Sequence, residues 1–173
     1  MHITFSHFFK VSGNKVPEVT LVFWLIKMMS TTVGETGADL LTFKLHWGLT
    51  NTSFCIGALF FLTVAAQLYS RRYIPWLYWL TVVLVSVFGT LITDNLTDQL
   101  DVPLSISTCV FGVLLVATFV IWRSSEKTLS ILEINSVKRE IFYWLAVLTT
   151  FALGTAAGDW LSEGLHLGYA LSA

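Results

Sequence analysis

Four long stretches of this chain contain no charged residue, and they limit its possible folds more than any other feature. They cover residues 53–70, 73–93, 104–122 and 141–158. A helix of about 17 to 25 residues crosses a bilayer core about 30 Å thick. A fifth stretch, 17–41, is also apolar but holds Lys27, Glu35 and Asp39. The sequence therefore predicts an all-α polytopic membrane protein with about five transmembrane spans.

The composition agrees with a chain surrounded by lipid. Of its 173 residues, 55% are hydrophobic and 12% are charged, and the mean hydropathy is +0.73. A soluble domain carries about 25% charged residues. The net charge of −1 also gives no basic surface for a nucleic acid. These values argue against a cytosolic domain, a disordered chain and a nucleic-acid-binding protein.

The basic residues predict an orientation in the membrane. Lys44 lies on one set of connections and Lys27 lies within a span, whereas eight of the ten Lys and Arg residues lie on the opposite set: Lys10, Lys15, Arg71, Arg72, Arg123, Lys127, Lys138 and Arg139. Connections rich in Lys and Arg stay on the cytoplasmic side. The first sixteen residues lack the apolar run of a secretory signal, so we expect no processing there. We therefore expect a multi-pass membrane protein with a cytoplasmic N-terminus.

One pattern occurs three times along the chain. It consists of an aromatic residue, Trp and Leu, then Gly ten residues after the Trp and Asp five residues after the Gly. The three copies hold Trp24, Gly34 and Asp39; Trp79, Gly89 and Asp94; and Trp144, Gly154 and Asp159. The predicted units are an N-terminal segment (1–16), repeat 1 (17–70), repeat 2 (73–122), a cytoplasmic loop (123–140) and a partial repeat 3 (141–173).

Each complete repeat contains two spans, a motif helix followed by a plainer return helix. The motif helices therefore all run in the same direction, as in parallel transporter repeats. This places the three Asp residues at the outer end of the bundle. We expect the repeated Gly residues to allow close helix crossings and the repeated Trp residues to pack between repeats or in an aromatic belt.

The repeats resemble a bacterial family of integral membrane proteins built from tandem two-helix repeats of unknown function. The resemblance covers about residues 15–169. It is carried by Lys15-Val-Pro-Glu-Val-Thr, by Thr31-Thr-Val-Gly-Glu-Thr-Gly-Ala-Asp39 and by Leu153-Gly-Thr-Ala-Ala-Gly-Asp-Trp160. Such proteins typically carry four repeats, and the third copy here lacks its return helix. The chain is therefore either a truncated member or one that completes itself by oligomerising. We expect a homo-oligomer formed through the small-residue face of Gly154, Ala156, Ala157 and Gly158. The resemblance also implies a location in the bacterial inner membrane.

The first motif helix carries an unusual polar stripe. Lys27, Thr31, Glu35 and Asp39 follow one another at intervals of four, which places them along one helix face. An ionisable residue inside a span is a functional hypothesis by default. If the motif helices are central, Glu35 and Asp39 converge with Asp94 and Asp159 on one site. Such a site suits protons, hard cations or a small polar solute.

His46 and His166 are weak candidates for additional metal ligands. Cys55 and Cys109 both lie inside predicted spans, where we expect them to be buried apolar residues rather than a disulfide. The chain has no His-Glu-x-x-His motif and no phosphate-binding loop. We expect neither an enzyme nor a bound cofactor. Two functions remain open: a small transporter that passes a cation or polar solute along the acids, and a membrane scaffold or partner subunit in which the acids are structural.

Overall fold

A computed structural model describes residues 15–70, 72–131, 134 and 136–164 of the chain. These residues form five α-helices and no strand, which confirms the predicted all-α fold. The helices are α1 (Leu21–Asp39), α2 (Leu49–Tyr69), α3 (Pro75–Asp94), α4 (Leu104–Glu126) and α5 (Val137–Asp159). The motif helices are α1, α3 and α5, and the return helices are α2 and α4.

Local chemistry fixes where the motif helices begin. The hydroxyl of Thr20 accepts a hydrogen bond from the backbone N–H of Phe23 (3.2 Å), and Ser136 caps α5 in the same way through the N–H of Arg139 (3.3 Å). Helix α3 starts instead at Pro75, whose missing N–H is no loss in the first turn. Caps of this kind satisfy backbone donors that have no partner inside the helix.

In the part of the chain that the structure describes, four helical segments are long and apolar enough to cross a membrane: Leu49–Tyr69, Pro75–Gln99, Leu104–Glu126 and Val137–Gly164. Helix α1 has 19 residues but holds three charged ones. It lies alongside α3 in the same direction, since Phe23 contacts Trp79 and Ala38 packs in a cluster with Leu91. Helix α1 therefore lies in the membrane beside α3, and the chain is a helical membrane protein.

Helix α3 is the centre of the bundle and packs against α1, α2 and α5. Each return helix packs mainly against the motif helix that follows it, so α2 lies on α3 and α4 lies on α5. One cause is visible at Gly57 of α2, where an added Cβ would lie 2.8 Å from Cε2 of Phe88. Gly57 thus leaves room for an aromatic ring of the next repeat. Each closely packed helix pair therefore joins two repeats and differs from the hairpin of a single repeat.

The outer faces of the return helices expose apolar side chains. On α2 these include Phe54, Leu59 and Leu62, and on α4 they include Val113 and Val116. Such a surface suits acyl chains and would be unusual in water. Cys55 and Cys109 are exposed on the same two helices, so the expectation that they are buried is wrong. Side chains without a polar group have no need of burial inside a lipid bilayer, and periodicity within an all-apolar span cannot separate its two faces.

Each motif helix ends in one turn of π-helix immediately after the repeated Asp. These three π segments are Leu40–Lys44, Asn95–Gln99 and Trp160–Gly164. A π turn closes a hydrogen bond across five residues, as from the N–H of Leu45 to the carbonyl of Leu40 (2.9 Å). Short π turns inside helices are rare and frequently occur at functional sites. The repetition of the turn at one sequence position makes it a property of the repeat.

Candidate functional site

Equivalent positions of successive repeats meet where α3 packs against α5. The hydroxyl oxygens of Thr90 and Thr155 lie 3.3 Å apart, and those of Tyr78 and Tyr143 lie 2.5 Å apart. Both pairs are separated by 65 residues, which is the spacing of the second and third motifs. Contacts between equivalent residues arise when repeated elements surround a common axis. The motif helices therefore present their repeated Asp residues toward one interior.

That interior contains an acidic cavity of about 380 Å³ at the end of the bundle that holds the π segments. All three motif helices contribute to it. The lining residues are Glu35, Asp39, Phe43, Thr90, Asp94, Thr97, Asp98, Leu104, Thr155, Asp159 and Glu163. The predicted convergence of Glu35, Asp39, Asp94 and Asp159 is present in this arrangement.

Six of the residues that line the acidic cavity carry a carboxyl group, and no lining residue is Lys, Arg or His. The cavity is therefore a region of negative potential, and its low-dielectric walls strengthen that potential. Within the described residues, no three Asp, Glu, His or Cys side chains come close enough to hold a metal ion together. The acids surround an open volume, which suits a mobile or hydrated cation better than one bound by direct coordination.

A second space, the apolar groove, adjoins the acidic cavity. It has a volume of about 540 Å³ and lies between α1, α4 and α5. Its walls are formed mainly by aliphatic and aromatic side chains, among them Phe23, Trp24, Phe119, Trp122 and Phe151. Glu35 and Thr155 line both spaces. The cavity and the groove therefore adjoin at these two residues.

Lys27 and Thr31 lie in the apolar groove rather than in the acidic cavity. The Nζ of Lys27 lies 5.1 Å from the ring centroid of Phe151 on α5. A cation over an aromatic face is stabilised by the ring quadrupole. The hydroxyl of Thr31 donates to the carbonyl of Lys27 (3.3 Å), so the helix backbone already satisfies it. The polar stripe of α1 is thus divided between the two spaces. Lys27 and Thr31 line the groove, Asp39 lines the cavity, and Glu35 lines both.

The repeated Gly residues differ in what surrounds them. An added Cβ would lie 2.7 Å from Cβ of Ser86 at Gly34 and 2.8 Å from Cβ of Phe151 at Gly89, whereas at Gly154 no such atom of the described residues lies within 4 Å. The Trp residues also differ, because Trp24 is 54% exposed and Trp144 is 3% exposed. Trp79 is partly buried against the main apolar cluster.

Two acids of the cavity were missed as candidates from sequence. Asp98 and Glu163 each lie four residues beyond a repeated Asp, within a π segment. That spacing is a usable signal, since residues four apart share a helix face. His46 is exposed in the connection after the first π segment and does not line the cavity. His166, the other weak metal candidate, lies outside the described residues.

Comparison with known families matches this architecture to one group of sequences. The family described as "Repeat of Unknown Function (DUF347)" matches residues 22–73, 77–128 and 142–173. The chain belongs to this family. The three DUF347 matches each contain one motif helix, so the family unit and the Trp, Gly and Asp repeat coincide. No curated protein and no solved structure matches the chain.

Proposed function

We propose that this membrane protein conducts protons, which pass between the acidic cavity and the apolar groove through Glu35. The observation that supports this proposal is the shared boundary of the two spaces at Glu35 and Thr155. Together they extend along the motif helices from the repeated Asp residues to the aromatic residues at the opposite end. Chains of acids inside a membrane are typical of proton relays.

The residue at the boundary differs between the repeats. Glu35 of the first repeat corresponds to Thr90 of the second and Thr155 of the third. All three line the acidic cavity, and of the three Glu35 is the one whose side chain carries an ionisable group. The first repeat thus differs from the other two at this position. A proton held by Glu35 would lie between the carboxylates of the acidic cavity and the apolar groove.

Protons suit the groove better than metal ions do. Lys27 is the basic residue among those that line it, and its ammonium would repel a permanent cation. A proton relay has no such difficulty, because Lys27 can itself exchange a proton. Glu35 and Lys27 are eight residues apart, or about 12 Å along a helix, so water in the groove must connect them. The volume of the groove is enough for several water molecules.

The distribution of basic residues between the two ends of the bundle supports one orientation in the membrane. Among the described basic residues, Lys44 belongs to the acidic end, whereas the opposite end holds Lys15, Arg72, Arg123, Lys127, Lys138 and Arg139. We place that opposite end in the cytoplasm of a bacterial cell, with the chain in the inner membrane. The acidic cavity then opens toward the outside. Labelling of a cysteine at Lys127 and of one at Asp101 with an impermeant reagent in intact cells tests this placement.

The decisive experiment is proton flux into liposomes that contain the full chain and a pH-sensitive dye. Glu35→Gln keeps the shape of the side chain but removes its exchangeable proton, so we expect flux to fall at least tenfold with no decrease in the thermal unfolding temperature. The matched control is Glu18→Gln, at an exposed acid that lines neither space. This variant should conduct as the original chain does.

Two results would overturn the proposal. One is a chain that reconstitutes fully but conducts no more protons than empty liposomes. The other is a Glu35→Gln variant that unfolds at a lower temperature while flux per folded molecule stays the same. Either result favours a scaffold or partner subunit with structural acids. Parallel liposomes with sodium, potassium or magnesium gradients separate proton conduction from passage of other cations.

A further inference from the structure

The contact between one motif helix and the next is made twice in the same register. Gly34 of α1 faces Ser86 of α3, and Gly89 of α3 faces Phe151 of α5. Gly34 and Gly89 are equivalent positions, and so are Ser86 and Phe151. In both places the glycine of one repeat receives a side chain of the following repeat at a distance that an added Cβ would not allow.

An aromatic contact at the other end of the same helices also occurs twice. The rings of Phe23 and Trp79 lie 5.8 Å apart between centroids, and those of Tyr78 and Trp144 lie 5.6 Å apart. Phe23 corresponds to Tyr78, and Trp79 corresponds to Trp144. Each α1–α3 and α3–α5 interface therefore has a glycine layer and an aromatic layer made by the same four repeat positions.

A third set of these positions lines the apolar groove. On α5 the next receiving residues are Gly154, where no atom of the described residues outside the helix's own backbone lies within 4 Å of an added Cβ, and Tyr143, which is 7% exposed. On α1 the unused inserting residues are Thr31 and Trp24, the latter 54% exposed. All four line the groove. One chain thus presents both halves of the repeated interface, each without its counterpart.

We propose that a second copy of this chain continues the series, with α5 of one copy packed against α1 of the other. Gly154 then receives Thr31 of the second copy, and Tyr143 contacts Trp24 of the second copy. A twofold axis uses both pairs twice and closes the assembly, as an isologous dimer requires. The two apolar grooves face each other across that axis.

Continuity with the two existing interfaces favours a second copy over lipid as the occupant. Lys27 and Glu35 line the groove, and acyl chains cannot solvate either group. A polar stripe opposite a second polar stripe can share water instead. Small residues at a helix interface allow close approach within a membrane, and the α5 face around Gly154 also carries Ala157 and Gly158. Dimer formation is tested separately from proton conduction, because it is measured as the size of the assembly.

Disulfide formation between two copies tests the register. In chains with Cys55 and Cys109 replaced by Ala, one tagged copy carries Thr31→Cys and a second copy with another tag carries Gly154→Cys. After coexpression and mild oxidation in native membranes, we expect a covalent dimer that contains both tags. The control pairs Thr31→Cys with Gly112→Cys, since Gly112 also has open space around an added Cβ but lies outside the groove. That pair should give at least tenfold less product.

A second variant keeps the proposal falsifiable if oxidation is inefficient. Gly154→Leu fills the open receiving position, where an added Cβ has no atom of the described residues within 4 Å apart from the helix's own backbone. The purified variant should be a monomer under conditions where the original chain and Gly112→Leu are dimers. The proposal is overturned by a monomeric original chain, by a dimer that survives Gly154→Leu, or by equal cross-linking of both cysteine pairs. A monomer with lipid bound in the groove would identify lipid as the occupant.

Discussion

The Nζ of Lys15 lies 2.6 Å from Oε2 of Glu140, and both side chains are buried. The same ammonium also donates to the carbonyls of Gln67 (3.2 Å) and Leu68 (3.3 Å) in the last turn of α2. Four of the carbonyls at the end of a helix have no partner inside it. This pair therefore connects the segment before α1 to the end of α2 and the start of α5.

The first prediction concerns this ion pair. Lys15→Met should lower the free energy of unfolding by about 3–5 kcal/mol, because it leaves the Glu140 carboxylate buried without its cation. Proton flux per folded molecule should be unchanged, since neither residue lines the acidic cavity or the apolar groove. Reversible denaturation in detergent measures the change in stability.

A second substitution separates the pair from the packing around it. Lys15→Met combined with Glu140→Leu should recover much of the lost stability, because an apolar pair has no desolvation cost. If the double variant is less stable than Lys15→Met alone, the ion pair contributes little and packing of the glutamate stem explains the loss.

The sequence predicts the helices well because their signals are local. Uncharged runs fix the spans, and the exact spacing of Trp, Gly and Asp fixes the parallel direction of the motif helices. That direction was enough to bring Asp39, Asp94 and Asp159 to one end, where they line one cavity. The Lys15–Glu140 pair was not predicted, because its members are 125 residues apart and no local pattern relates them.

Which helices pack together could also not be predicted from the sequence. Gly57 and Phe88 decide that α2 lies on α3, and such a contact depends on which faces meet after folding. For the same reason the sequence does not predict that Lys27 lies in the groove while Glu35 lies at the boundary between the groove and the cavity. The sequence places them on one helix stripe, whereas the positions of α4 and α5 decide what each side chain faces.

The second prediction concerns the glycine layer. Gly89→Val should lower the free energy of unfolding of a single copy by about 1–3 kcal/mol, because its Cβ would lie 2.8 Å from Cβ of Phe151 and 3.1 Å from the backbone nitrogen of Ala152. The backbone cannot move aside as a flexible side chain can. Gly112→Val is the matched control and should change stability by less than about 1 kcal/mol. Equal losses for the two variants would mean that helix propensity, rather than contact, sets the cost.

The third prediction is that replacing Lys27 with an apolar residue changes stability and proton flux in opposite directions. An ammonium inside a span costs about 2.5–3.5 kcal/mol on insertion scales, and the ring of Phe151 returns only part of this. Lys27→Met should therefore raise the thermal unfolding temperature while proton flux falls. Lys27→Arg keeps the charge but cannot release a proton, so flux should fall without the gain in stability. A Lys27→Met chain that is less stable than the original would show that the ammonium has a structural role.

The last prediction concerns the repulsion among the carboxylates of the acidic cavity. Six acids line about 380 Å³ with no basic residue among the lining residues, so their charges raise the free energy of the folded state. Salt screens such repulsion, with a Debye length of about 10 Å at 0.1 M and about 3 Å at 1 M. The unfolding temperature at pH 8 should rise with sodium chloride concentration. In a variant with Asp94→Asn, Asp98→Asn and Asp159→Asn, the starting temperature should be higher and the dependence on salt weaker. A variant with Asp101→Asn, an exposed acid outside the cavity, should keep the dependence of the original chain. If the triple variant responds to salt as strongly as the original, the acids are hydrated independently and the cavity does not concentrate their field.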